Sequence, residues 1–166
     1  MSEFRNDRFT TELFDSKESA EKAYQRAIER GYSEKDINVM MSDESRKKYY
    51  DSPLVNEGNK SMEGMGVGGA TGAVIGGIVA AIAAVGTSLV IPGLGLVVAG
   101  PIAAGLAGAG AGSITGGLVG ALVGWGIPEE KAKHYEKGIK SGGIVLGVDE
   151  SKSESDLRKD WEEYRR

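Results

Sequence analysis

The residues able to do chemistry are few and poorly placed for it. His134 is the single histidine among 166 residues, and there is no cysteine. Thiolate catalysis, disulfides and sulfur-ligated metal sites are therefore excluded, and the composition fits a reducing compartment. A metal site or a catalytic dyad at His134 would need partners. Its surroundings, Lys131-Ala132-Lys133-His134-Tyr135-Glu136, read instead as a charged, solvated helix face. Glu129–Glu130 and Glu162–Glu163 are neighbours in sequence and do not share a helix face, so they read as dipole complement and solvated surface, not as an acid/base pair. Gly64-Met65-Gly66-Val67-Gly68-Gly69 spells GxGxxG literally. A dinucleotide site would also need a strand before it and an acid about twenty residues on. Ser61-Met62-Glu63 is no strand, and no charge follows until Glu129. Gly58-Asn59-Lys60-Ser61 lacks the spacing of a P-loop. The sequence thus points away from an enzyme, and to no cofactor, metal or small-molecule substrate.

What would position these residues divides sharply by charge. All 44 Asp, Glu, Lys and Arg side chains lie outside residues 64–128, a run of 65 uncharged positions holding 20 of the 26 glycines. The mean hydropathy of -0.23 averages two unlike polymers. A net charge of -4, a pI near 5.2 and the lack of a basic stripe with interleaved aromatics exclude a nucleic-acid partner. The opening Met1-Ser2-Glu3-Phe4-Arg5-Asn6-Asp7 is no signal peptide, which predicts that at least the first sixty residues stay in the cytoplasm.

The charged flanks carry regular patterning. Thr11–Phe14 alternates as a strand, and Asp15 with Glu18 makes a capping-box pattern. Ala20, Ala23, Tyr24, Ala27 and Ile28 then recur at helical spacing until Gly31, and Ile37–Met41 is a second strand. This β-α-β unit predicts two parallel strands. Residues 42–63, with Arg46-Lys47-Lys48-Tyr49-Tyr50, read as a solvated loop or one helical turn; the alternative is a basic-aromatic contact with lipid headgroups. After the uncharged stretch, Pro128 suits the first position of a helix whose Ala132, Tyr135 and Ile139 share a face. Ile144–Val148 is apolar enough for a central strand. Leu157, Trp161 and Tyr164 mark a last amphipathic helix, with Ser153 or Ser155 as its cap. The expected architecture is one α+β domain of residues 10–63 and 127–166, close to a ferredoxin-like fold lacking a strand, interrupted by an insertion at 64–126.

Within that insertion, small residues recur every fourth place. The first column is Gly64, Gly68, Gly72, Gly76, Ala80 and Ala84; the second is Gly100, Ala104, Gly108, Gly112, Gly116, Gly120 and Gly124. A four-residue period follows the i±4 ridge of a helix, so bare positions there open a groove for another backbone. Seven glycines in the first helix would cost roughly 6–7 kcal/mol against alanine in water. A lipid core or very close helix packing would have to offset that. Helices at 64–85 and 101–126 would run ~33 and ~39 Å, against a hydrocarbon slab of ~30 Å. Residues 86–100 would form the turn. The expectation is a glycine-zipper hairpin entering the inner membrane with both termini cytoplasmic, Lys131, Lys133, Lys137 and Lys140 marking that side. The alternative is a cytoplasmic, water-soluble particle or filament with the hairpins as its dry core. The stripe drifts roughly 40° per repeat, a sweep that several neighbours cover more simply than one. Self-association beyond a dimer follows as an expectation.

Val90-Ile91-Pro92-Gly93-Leu94-Gly95, Ala99-Gly100-Pro101-Ile102-Ala103-Ala104, Gly116–Leu122, Gly126–Ala132, Tyr135-Glu136 and Gly142–Val145 together resemble the bacterial general-stress, low-temperature- or heat-induced proteins. Leu13–Ser16, Ala20–Ala23, Gly31-Tyr32 and Asp36–Val39 are similar to that family's N-terminal module. The resemblance implies a bacterial, stress-linked, non-enzymatic protein with no catalytic residues to carry over. Many such proteins continue with a further β-α-β unit, where this chain ends in the Trp161 helix.

Overall fold

The computed structural model describes residues 9–50, 78, 88–91, 95–101, 117–124, 126–152 and 156–165. In chain order the elements are β1 (Phe9–Phe14), α1 (Lys17–Glu29), β2 (Ile37–Ser42), α2 (Asp43–Tyr50), β3 (Ser88–Ile91), β4 (Leu96–Ala99), α3 (Gly117–Gly124), α4 (Glu129–Lys140), β5 (Ile144–Asp149), a 3-10 turn (Glu150–Lys152) and α5 (Leu157–Tyr164). The fold is α+β.

Local signals account for most boundaries. Ser16, rather than Asp15, caps α1: its hydroxyl accepts the Ser19 N–H at 3.2 Å. Gly31, at φ 96°, lets the chain leave α1 through the left-handed region. Pro128 stands just outside α4 as its N-cap, with φ -54°. The segment after β2 forms a two-turn helix, α2, longer than the single turn the sequence suggests.

Five strands make one sheet in the order β1-β5-β2-β4-β3, every adjacent pair antiparallel. β1 and β2 run in the same direction, as a β-α-β unit predicts, but β5 lies between them. Its apolar Ile144–Val148 run is buried throughout, which is what a strand covered on both faces requires. On one face Ile37, Val39, Met41, Val97, Ala99, Ile144, Leu146 and Val148 meet α1 and α5. On the other, Leu13, Met40, Leu96, Val98 and Val145 meet Leu122, Ile127 and the Ala132, Tyr135, Ile139 stripe of α4. Helices on both faces, and two added strands beyond β2, distinguish this sheet from the expected ferredoxin-like arrangement.

α5 completes the first face. Trp161 is fully buried, donates its indole N–H to Ala23 O at 3.0 Å and meets Phe14 edge-on at 5.8 Å. Asp160 takes Arg26 at 2.9 Å and Arg30 at 2.7 Å, tying α5 to α1.

The largest departure from the sequence reading is in the uncharged stretch. Where residues 86–100 were expected to turn between two helices, Ser88–Ile91 and Leu96–Ala99 form a β-hairpin whose β4 pairs with β2. Residues 88–91 and 96–99 are therefore part of the sheet, not a turn between two helices. Gly100 follows β4 directly, in a bend. It is buried and non-helical, with φ 105°, and a Cβ placed on it would stand 2.6 Å from Ile37 O. Its bareness lets β4 approach β2 instead of opening a helix groove. Replacing Gly100 by Ala is expected to cost about 1–3 kcal/mol through left-handed strain, with the backbone clash added, read as a lowered urea midpoint at unchanged m-value.

Candidate functional site

Of the thirteen small residues in the two columns, Gly120 and Gly124 lie on a described helix. Gly64, Gly68, Gly72, Gly76, Ala80, Ala84, Ala104, Gly108, Gly112 and Gly116 fall outside the described residues, and Gly100 lies in the bend that follows β4. The structure therefore brings one fragment of the stripe into view, and its setting is informative. α3 turns Leu122 (0% exposed) and the half-buried Val119 toward the second face of the sheet. Gly120 is exposed, and Val123, at 43%, is the one large hydrophobic side chain so exposed among the described residues. A helix with an apolar face inward and a bare, apolar face outward presents a surface on which a second helix can pack closely.

The two uncharged segments also reach opposite faces of the sheet. Ile78 is helical, fully buried and part of the cluster beneath α1 and α5. Its N–H lies 3.4 Å from the buried Glu21 carboxylate. Leu122 belongs to the cluster beneath α4. Both segments thus supply core side chains to the domain itself. The Pro92-Gly93 pair between two short apolar runs is the sequence signal that would have located the hairpin between them.

A polar cleft of ≈ 470 Å³ opens where β2 passes into α2, lined by Ser42, Asp43, Glu44, Lys47, Gly95 and Lys140. A smaller recess of ≈ 120 Å³ adjoins it, adding Ser45, Lys48, Tyr49, Ser141 and Gly142. The Asp43 carboxylate holds Lys47 at 2.9 Å and Arg46 at 3.0 Å, and these hydrogen bonds keep it below the usual carboxylate range. Lys140 pairs with Glu136. Ser42 caps α2, accepting the Ser45 N–H at 3.0 Å and donating to the Ser45 hydroxyl at 2.9 Å. The cleft offers the Ser42 and Ser45 hydroxyls, the paired Asp43, Lys47 and Lys140, and the Glu44 carboxylate.

Lys131 and Tyr135 form the other polar arrangement. Burial pushes the Tyr135 phenol up and the Lys131 ammonium down. Both groups donate to the same acceptor, Thr11 O, at 2.8 and 2.9 Å, and Tyr135 also lies 3.0 Å from the Thr11 hydroxyl. The pair clamps α4 to β1. His134 is exposed, as expected, and no group of three metal-ligating side chains occurs among the described residues.

These phenols set an alkaline limit. Tyr24 and Tyr135 both have folded pKa values raised chiefly by burial. Unfolded, a phenol releases its proton near pH ~10, so the stabilisation is complete below that pH and is lost as pH climbs above it. Lys131, shifted down, acts in the opposite sense. Tyr135→Phe is expected to cost about 0.5–1.5 kcal/mol at pH 8 and to flatten the loss of stability between pH 9 and 11, measured by urea titration at each pH.

No family model, curated protein or solved structure matches the chain.

Proposed function

We propose that this is a non-enzymatic structural protein that works by associating with copies of itself, in line with the water-soluble scaffold reading. The observation that carries the proposal is the outward face of α3, where Gly120 and Val123 stand exposed opposite the buried Leu122. Close contact between such helices gains dispersion energy at a position where glycine otherwise costs about 0.8–1 kcal/mol against alanine. A bare outer face accounts for Gly120 on a helix that needs apolar side chains only on its inner side.

The hairpin β3–β4 argues against the two-span membrane insertion. A helix over 64–85 crossing a bilayer would deliver Ser88 to the far side, yet Ser88 pairs with Ala99 in the sheet that holds both flanks. No helix among the described residues is long and apolar enough to cross a membrane. The stress-linked, bacterial setting implied by the resemblance is retained as part of the proposal: a cytoplasmic assembly whose role is mechanical or packing rather than catalytic.

Sedimentation in detergent-free buffer is expected to give a species larger than a dimer. Gly120→Leu fills the bare face and should reduce that mass while leaving the far-ultraviolet circular dichroism unchanged. An unchanged mass in the Leu variant, or a wild-type monomer, defeats the proposal. Co-flotation of the wild-type chain with lipid vesicles, resistant to carbonate, would reinstate the membrane reading.

A further inference from the structure

We infer that the recess between α2 and the end of α4 binds a small zwitterion, a molecule carrying an ammonium group close to a phosphate or carboxylate. The site is distinct from the α3 face and does not depend on self-association. The recess, of ≈ 120 Å³, adjoins the ≈ 470 Å³ cleft, and the two share Ser42, Glu44 and Lys140.

α2 carries two acid–lysine couples with the same spacing, and they behave differently. Asp43 and Lys47 close at 2.9 Å. Glu44 and Lys48 are also four residues apart, which sets their Cβ atoms about 5–6 Å from each other on one side of the helix. No ion pair joins them among the described residues. Lys48 instead places its ammonium 5.4 Å from the centre of the Tyr49 ring. On α4 the same spacing gives closed pairs, Lys133 with Glu129 and Lys140 with Glu136. The recess is thus lined by an exposed carboxylate and an exposed ammonium that do not neutralise each other.

A hydroxyl proton is left over at the same place. Ser45 is 3% exposed and lines the recess together with Ser42. The Ser42 hydroxyl accepts the Ser45 N–H at 3.0 Å, and the two hydroxyls share one hydrogen bond at 2.9 Å. Two hydroxyl protons with one bond between them leave one proton without an acceptor among the described residues, whichever serine donates. A buried donor left unmade costs free energy, and an anionic oxygen in the recess would accept it. Gly142 keeps the floor clear: a Cβ placed there would stand 3.7 Å from the Tyr49 hydroxyl and 3.9 Å from that of Ser45.

The charges select the occupant. A simple anion would meet Lys48 and Lys140, but Lys140 is already paired with Glu136, and the Glu44 carboxylate would repel it. A simple cation would meet Glu44 against two lysines. A zwitterion satisfies both, its ammonium on Glu44 and its anionic oxygens on Lys48 and the spare serine hydroxyl. Hydrogen bonds of this charge-assisted kind are the strong ones. With both charges exposed to solvent, the affinity expected is about millimolar.

The probe is O-phosphoethanolamine, which carries both groups, with ethanolamine and inorganic phosphate as its separate halves. Saturation-transfer NMR on the full chain reads its binding and its displacement. The expected result is binding that either half displaces only at roughly tenfold higher concentration. Glu44→Gln and Lys48→Gln, with unchanged far-ultraviolet circular dichroism, should each weaken it roughly tenfold. Lys133→Gln, which lines neither cavity, should not. Flotation with phosphatidylethanolamine vesicles, against phosphatidylcholine whose methylated ammonium cannot donate to Glu44, separates the two sources of this chemistry. Glu44-dependent flotation with the first alone identifies a lipid headgroup as the ligand, and binding of the free probe without flotation identifies a soluble one. Displacement by phosphate at equal concentration, or binding indifferent to Glu44→Gln, overturns the inference, as does failure of both the free probe and the vesicles to bind.

Discussion

The backbone ladder between β2 and β4 binds the strands of the uncharged stretch into the domain. Val39, Met40, Met41 and Ser42 face Ala99, Val98, Val97 and Leu96 across it, and the strands approach closely at one end because Gly100 has no side chain to hold them apart at Ile37. Every residue of β4 is buried, so a strand cut from the middle of a glycine-rich run is as much a core element as β5. With both strands in the sheet, Ser88–Ile91 and Leu96–Ala99 are not the tip of a projecting helical hairpin.

That placement also changes the meaning of the glycines. The same small residues that make a helix groove attractive to a neighbour can serve a close strand approach, a turn or an outward face. Gly100 does the first of these, Gly120 the last. A repeat of small residues therefore describes what is missing from the backbone's surroundings without saying which partner takes advantage. Ile78 and Leu122, the apolar residues seen beside the stripe, both point into the domain.

The flanks hold together by ordinary means. Trp161 and the Arg26–Asp160–Arg30 cluster seat α5 on α1, while Tyr135 and Lys131 seat α4 on β1 through one carbonyl. Both arrangements contain groups that elsewhere perform chemistry. Here these side chains are spent on backbone or on an opposite charge. In the polar cleft beside α2, Asp43, Lys47 and Lys140 are likewise paired within the chain.

The sequence by itself determined the elements whose signals are local: α1, α4 and α5 from apolar spacing, with glycine stops after α1 and α4, and β1, β2 and β5 from short apolar or alternating runs bounded by polar residues. The caps were less legible, falling at Ser16, Pro128 and Asp156. It also determined that β5 is central, since a strand apolar at every position needs cover on two faces. Tertiary structure alone decided the fate of Ser88–Ile91 and Leu96–Ala99. Four apolar residues set among glycines fit a helix or a strand equally well by periodicity, and the choice falls to whichever neighbour satisfies their backbone groups. For Leu96–Ala99 that neighbour is β2, 54 to 60 residues away across the ladder, and its pull comes from hydrogen bonds and burial that no window of local sequence contains.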